Sequence, residues 1–413
     1  MARDLDHTVD GEPTRDWYRR HLTSDFLLWS PNIQAEAFLN WDRLWATRTI
    51  PHGRPKHFPL GEQLPQDFCV SSRGRTYDVA EFFRAECLSG LLIIKNGEIR
   101  LEKYALGLTP DRCWQSSSMV KSLAAILIGI ALNDGYLKSV DDPIVNWVPE
   151  LRGSEYEPVT IRHILLMSSG IEWSENTNDW QTDVADNYIK VIGARRAEYV
   201  VNYMKTLRRA DPPGEQFYYN TGDTLLLSYV LSRATGMSVS DYCSERFWKP
   251  MGCENDGFFM LESDGGHEVV GSCCGATLRD YARWGTFMLQ DGVAANGERL
   301  VPEGWVHDCV TPQAKNFAAD LTGTRGVTPD PESPWKGYGY LWWSREDGDF
   351  MALGSYGQWI YVSPANNSVV VMVGAVPRKV YMNADQLGVH EESDHLGSEL
   401  RARFAREASA ALG

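Results

Sequence analysis

From Met119 to Leu132 the chain carries one charge, Lys121, in a stretch otherwise almost wholly apolar. The apolar residues occupy every helical position and not one stripe, so the segment predicts a helix buried on all sides. Leu123 to Leu132 is the longest uncharged apolar run there, too short for the roughly 18 residues of a membrane span. Ser116, Ser117 and Ser118 offer N-cap candidates, and Asn133-Asp134-Gly135 offers a stop. An ammonium inside such a helix is expensive unless its charge is removed or used. Ser118, three residues earlier, shares its helix face, which pairs a nucleophile with a base. A capping serine and a snorkelling lysine would read the same over four letters, so the pair gains meaning only from its surroundings.

The 413 residues suffice for one large or two ordinary domains. A net charge of −15, from 55 acids against 40 bases, argues against nucleic acid or an anionic membrane as a partner. The expected partner is a small-molecule substrate, with a homodimer left open. The opening Met1 to Asp6 is polar and lacks the apolar run of a secretory signal, so a cytoplasmic protein is expected. The eight cysteines, at 69, 87, 113, 243, 253, 273, 274 and 309, include no C-x-x-C and read as free thiols. His390 to His395 has the letters of a metal tract but the flanks of a surface linker, so neither metal nor cofactor is expected. H-E-x-x-H, G-x-S-x-G and the phosphate-binding G-x-x-x-x-G-K-[ST] are absent.

Residues 1–75 have weak periodicity and read as an arm packed on the catalytic domain. Ser89 to Gly107 reads as two strands joined at Asn96-Gly97, a strong hairpin signal. Helical patterns dominate 138–275, among them Val159 to Met167, with Thr160 as its cap, and Thr221 to Thr235, ended by Gly236. Glu172 to Asn187 is a polar, aromatic loop without periodicity, of the kind that covers a site. Thr277 to Gln290 is an amphipathic helix. Strands return at Gly337 to Trp343, then at Gly357 to Ser363 and Ser368 to Val373, which pair across Pro364 to Asn367; a helix closes the chain at Leu396 to Leu412. Strands at both ends with helices between imply an α+β fold: one antiparallel sheet flanked by helices, with a mostly helical insertion. The expected division is a sheet subdomain of 76–137 and 276–413 and a helical subdomain of 138–275, forming one catalytic unit.

Two further segments are chemically loaded. Gly214 to Asp223 holds Tyr218, Tyr219 and Asn220, and a tyrosine beside a lysine ammonium can be held partly as phenolate and take a serine proton. Gly354 to Val362 is a glycine-bearing strand whose backbone can approach a ligand closely. His163, inside an apolar helix, reads as a structural residue.

This order of motifs resembles the serine β-lactamase and penicillin-binding-protein superfamily, and within it the class C-like branch that includes esterases, D-aminopeptidases and 6-aminohexanoate-dimer hydrolases. The resemblance spans roughly residues 85–380, with further matches at Ile161 to Gly170, Phe247 to Asp256 and Ala276 to Gly285. It implies that Ser118 is the acylated nucleophile and Lys121 its proton shuttle. The Tyr-x-Asn motif admits Tyr218 or Tyr219, and spacing to Phe217 and to Ala234-Thr-Gly236 favours Tyr219. The Ser118 N–H and one from the Ser355–Tyr356 region would form the oxyanion hole. Tyr218, Thr221, Ser355, Tyr356 and Gly357 would line the substrate site, with Trp173, Trp180 and Asp183 from the polar loop. The family's Lys-Thr-Gly is replaced by Ser355-Tyr356-Gly357, which leaves no cation for a β-lactam carboxylate. The resemblance therefore implies a serine hydrolase for another amide or ester, such as a 6-aminohexanoate oligomer or a short-chain ester. The alternatives are an acyltransferase, transpeptidase or D-aminopeptidase of the same fold, and a catalytically inactive binding or sensing protein.

Overall fold

In the computed structural model, residues 8–9, 12–13, 31–72, 74–175, 199–317, 335–345, 347–376 and 399–412 are described. Seven strands form the main sheet, all antiparallel, in the order 337–338, 343–344, 350–354, 358–363, 368–374, 88–95 and 98–104. The Leu88–Lys95 and Glu98–Tyr104 strands turn at Asn96-Gly97, both with positive φ, as the hairpin signal requires. Pairing of Leu88–Lys95 with Ser368–Gly374 closes one sheet from the two ends of the chain. Leu60 bridges Ile99, and the chain from Pro59 to Leu64 bonds along the outer strand, covering an otherwise open edge.

Helices cover both faces. Leu278–Leu289 lies on the face that carries Ile360, Val362 and Val369. Trp359 points the other way, as strand alternation dictates, and lies under the Arg401 guanidinium of the Glu399–Ala411 helix. Several contacts fasten that last helix, among them an Arg401–Glu86 ion pair at 2.7 Å. Lys95 Nζ donates to the Ser409 carbonyl at 2.9 Å, and Phe404 stacks on Phe82 with ring centroids 3.8 Å apart. Both rings are wholly buried. Phe404→Ala should therefore cost about 3–5 kcal/mol, read as a lowered urea midpoint at unchanged slope.

The sequence reading of 138–275 as helical is incomplete. Gly257–Met260 and Cys274–Ala276 are strands of a second, four-stranded sheet, with Thr47–Ile50 on one side and Trp114–Gln115 on the other. Their partners lie far away in sequence, and no local alternation announces so short a strand. Gly337 to Trp343 likewise is not one strand: Gly337–Tyr338 and Trp343–Ser344 pair with each other around Leu341, whose φ is 59°. The helix expected at Val159 to Met167 is confined to Ile161–Leu165, capped by Thr160 with His163 Nδ1 accepting from the Thr160 N–H at 3.1 Å. His163 is thus a capping residue. All eight cysteines are free thiols.

Among the described residues no helix is long and apolar enough to cross a membrane. Val120–Asn133 is the expected helix, buried from Val120 to Ala131, Lys121 included. It ends where the stop signal lies, with Gly135 at φ 81°. Its start differs from expectation. No serine side chain caps it; a 3₁₀ turn, Ser117–Met119, leads in, with the Ser117 hydroxyl donating to Gln115 Oε1 at 3.1 Å.

Candidate active site

The short strand Trp114–Gln115 delivers the chain to the head of the buried helix. The Ser116 N–H donates to the Cys274 carbonyl at 2.8 Å, and Ser116 Oγ accepts from the Cys274 N–H at 2.9 Å, which locks this turn to the second sheet. Ser117 takes a left-handed φ of 44°, held by its N–H donating to Gln115 Oε1 at 2.6 Å. Strain of this kind persists only where the surroundings over-determine it. Ser118 follows at the helix entrance.

Lys121 Nζ lies 2.9 Å from Ser118 Oγ and 3.0 Å from Thr221 Oγ1, and it also donates to the Gly271 carbonyl. The Thr221 hydroxyl passes the network on to Glu175, which also accepts from the Thr221 N–H and, at 2.8 Å, from the Trp173 indole N–H. Burial pushes the Lys121 ammonium down to about 7, against the opposing pull of Glu175. The same burial pushes the Glu175 carboxyl up, opposed by Lys121 and by its hydrogen bonds. A lysine poised near neutrality can accept a proton from a hydroxyl it touches.

Tyr219 completes the group. Its hydroxyl is hydrogen-bonded to that of Ser118, and Lys121 Nζ lies 4.9 Å from the ring centroid. Asn220 caps the Thr221–Thr235 helix, accepting from the Asp223 N–H at 3.0 Å, which turns its side chain to a structural task and fixes the register of Tyr219. Burial pushes the Tyr219 phenol above its ordinary value, with Glu175 acting in the same direction. Burial thus works against the phenolate expected from the sequence.

The Ser355–Gly357 loop joins the Phe350–Gly354 and Gln358–Ser363 strands, with Tyr356 at φ 65° and Gly357 at φ 86°. A side chain at Gly354 would collide with the Ser116 carbonyl and come within 3.1 Å of the Met119 N–H, so the loop's root presses on the turn that bears Ser118.

The Beta-lactamase family profile matches residues 89–380, more than half of the chain. The chain belongs to the β-lactamase family. Its relatives include the 6-aminohexanoate-dimer hydrolase of Paenarthrobacter ureafaciens, 28% identical over 363 residues, covering 79% of this chain and 86% of that one. Among solved structures, a candidate 6-aminohexanoate-dimer hydrolase from Bacillus anthracis superposes with a TM-score of 0.76 at 20% identity, covering 95% of this chain and 99% of that one. A family VIII carboxylesterase superposes with a TM-score of 0.57 at 14% identity, covering 78% and 92%. These two likenesses concern the fold.

In this β-lactamase-family chain the structure brings Ser118, Lys121, Tyr219 and Thr221 together. Tyr218 is half-buried, and its N–H donates to the Met167 carbonyl at 2.7 Å. Trp173, expected at the cleft, is instead 2% exposed, packed edge-on to Tyr203 with its N–H spent on Glu175. Its indole N–H supports the Glu175 carboxylate. Trp180 and Asp183 lie outside the described residues, as does the His390 to His395 tract. Among the described residues no cluster of three or more metal-ligating side chains is present. Sequence reasoning missed two groups on Lys121. Glu175 stood within a loop already suspected of covering a site, though nothing marked it above its acidic neighbours. The Gly271 carbonyl is a backbone group, which no letter can announce.

Proposed function

We propose that this protein is a serine hydrolase that cleaves a small amide or ester through an acyl-enzyme on Ser118. The observation that carries the reading is the 2.9 Å contact of Ser118 Oγ with a buried Lys121 whose ammonium is pushed down to about 7. In acylation the neutral Lys121 amine takes the Ser118 proton as Oγ bonds to the substrate carbonyl carbon. The oxyanion is met by the Ser118 N–H and by N–H groups of the Ser355–Gly357 loop. On collapse the C–N or C–O bond breaks, and the leaving group takes a proton from the Tyr219 hydroxyl, which is refilled from Lys121. Water repeats the sequence on the ester in deacylation. Thr221 and Glu175 fix the amine between its partners and stabilise the ammonium formed in passing.

The substrate we favour is a small linear amide of the 6-aminohexanoate type or a short-chain carboxylic ester. Support comes from the relation to the Paenarthrobacter hydrolase and from the absence of a cation in Ser355-Tyr356-Gly357. A panel of p-nitrophenyl acetate and butyrate, the linear aminohexanoate dimer, D-amino-acid amides and nitrocefin tests this. Ester or linear amide should turn over, with nitrocefin at least about 100-fold poorer in kcat/KM. Folded protein that turns over none of the esters or amides would defeat the proposal.

A further inference from the structure

We propose that Gln358 is a positioning residue for this reaction, its side-chain amide setting the orientation of the Ser355–Gly357 loop against the turn that carries Ser118; the inference rests on the acyl-enzyme reading above. Gln358 is completely buried. The two N–H groups of its Nε2 are shared among three carbonyls: Ser355 at 3.2 Å, Tyr356 at 3.0 Å and Gly374 at 2.7 Å. Its Oε1 accepts from the Trp114 indole N–H and from the Gly374 N–H, each at 3.1 Å. The opposite placement of oxygen and nitrogen would set a carbonyl against three carbonyls, so the amide has one workable orientation.

The position explains the residue. Ladder pairing between the Gln358–Ser363 and Ser368–Gly374 strands stops at Trp359 and Met372, and beyond it the Gln358 side chain reaches across to bond Gly374 in both directions. One group therefore grips the root of the loop, the end of the neighbouring strand and Trp114, which leads into Ser116 to Ser118. A trans peptide is planar, with C=O and N–H pointing opposite ways. Holding the Ser355 and Tyr356 carbonyls on Gln358 consequently sets where the Tyr356 and Gly357 N–H groups point. Left-handed φ values at both residues make the loop dependent on such outside bonds. From the far side, the Arg401 guanidinium occupies the space a side chain at Gly357 would need, and it pairs with Glu86 at 2.7 Å. The Val376 N–H also donates to the Tyr356 carbonyl at 3.1 Å, and the Gln358 clamp is one that reaches the nucleophile's strand as well.

The test is Gln358→Met, similar in length but unable to make any of these bonds, assayed with p-nitrophenyl butyrate and normalised by burst titration of active sites. The expected result is a fall in kcat per active site of about 10- to 100-fold, with KM moving less than about 3-fold. Wild-type kcat per titrated site, with loss only in the number of active molecules, would overturn the proposal. Should Gln358→Met not fold, Gln358→Glu keeps the acceptor for Trp114 and Gly374 and carries the same expectation. If neither folds, Gln358 is architectural and the proposal fails. Wild-type protein that is not acylated at Ser118 defeats the acyl-enzyme reading itself, an outcome distinct from a labelled wild type beside an undiminished Gln358→Met.

Discussion

Replacing Ser118 with alanine should lower ester turnover by roughly 10⁴-fold or more, because the acyl-enzyme then has no oxygen on which to form. The fold should survive. Ser118 contributes one hydroxyl at a helix entrance whose geometry is already held by Ser116, Ser117 and Gln115. The circular dichroism spectrum and melting temperature should match wild type to within a few degrees, and the substrate should still bind. A residual rate from the backbone donors alone is compatible with the mechanism, whereas activity within about 10-fold of wild type would remove Ser118 from the chemistry.

Lys121→Met should be nearly as damaging, at roughly 10³-fold or more. The change removes the cation facing the buried Glu175 carboxyl and the donor to the Gly271 carbonyl, so the fold should also lose about 3–5 kcal/mol, read as a lowered urea midpoint. Lys121→Arg should not restore activity, since a guanidinium does not give up its proton. The pH profile of the wild type follows the same logic. With burial pushing the ammonium down to about 7 and the neutral amine as the active form, log kcat/KM should fall with unit slope as pH drops below that value. Above it the profile should flatten, because burial keeps the Tyr219 phenol protonated. Flat activity down to pH 5 would contradict Lys121 as the base.

Much of this arrangement was legible from residues alone, for identifiable reasons. The buried helix announced itself because uncharged apolar side chains at every position admit few other placements. Asn96-Gly97 and the Thr160 cap acted through local backbone chemistry, which a short window contains. The meeting of Leu88–Lys95 with Ser368–Gly374 followed from strands at both ends of the chain. What escaped depends on distant partners. The second sheet is assembled from four segments between Thr47 and Ala276, each too short to show a period. The hydrogen bond from Trp173 to Glu175 likewise joins side chains whose meeting no local pattern announces. The sign of the Tyr219 shift was misread for a related reason: proximity to Lys121 could be inferred, but the depth of burial that outweighs it could not.

The central claim is that the acyl group passes through Ser118. Its most direct test is mass spectrometry of protein quenched during turnover of p-nitrophenyl butyrate, or after reaction with a fluorophosphonate, followed by peptide mapping. The account predicts one adduct per chain, on the peptide containing Ser118, and none in Ser118→Ala. An adduct on another residue, or hydrolysis by a protein that never carries one, would contradict it.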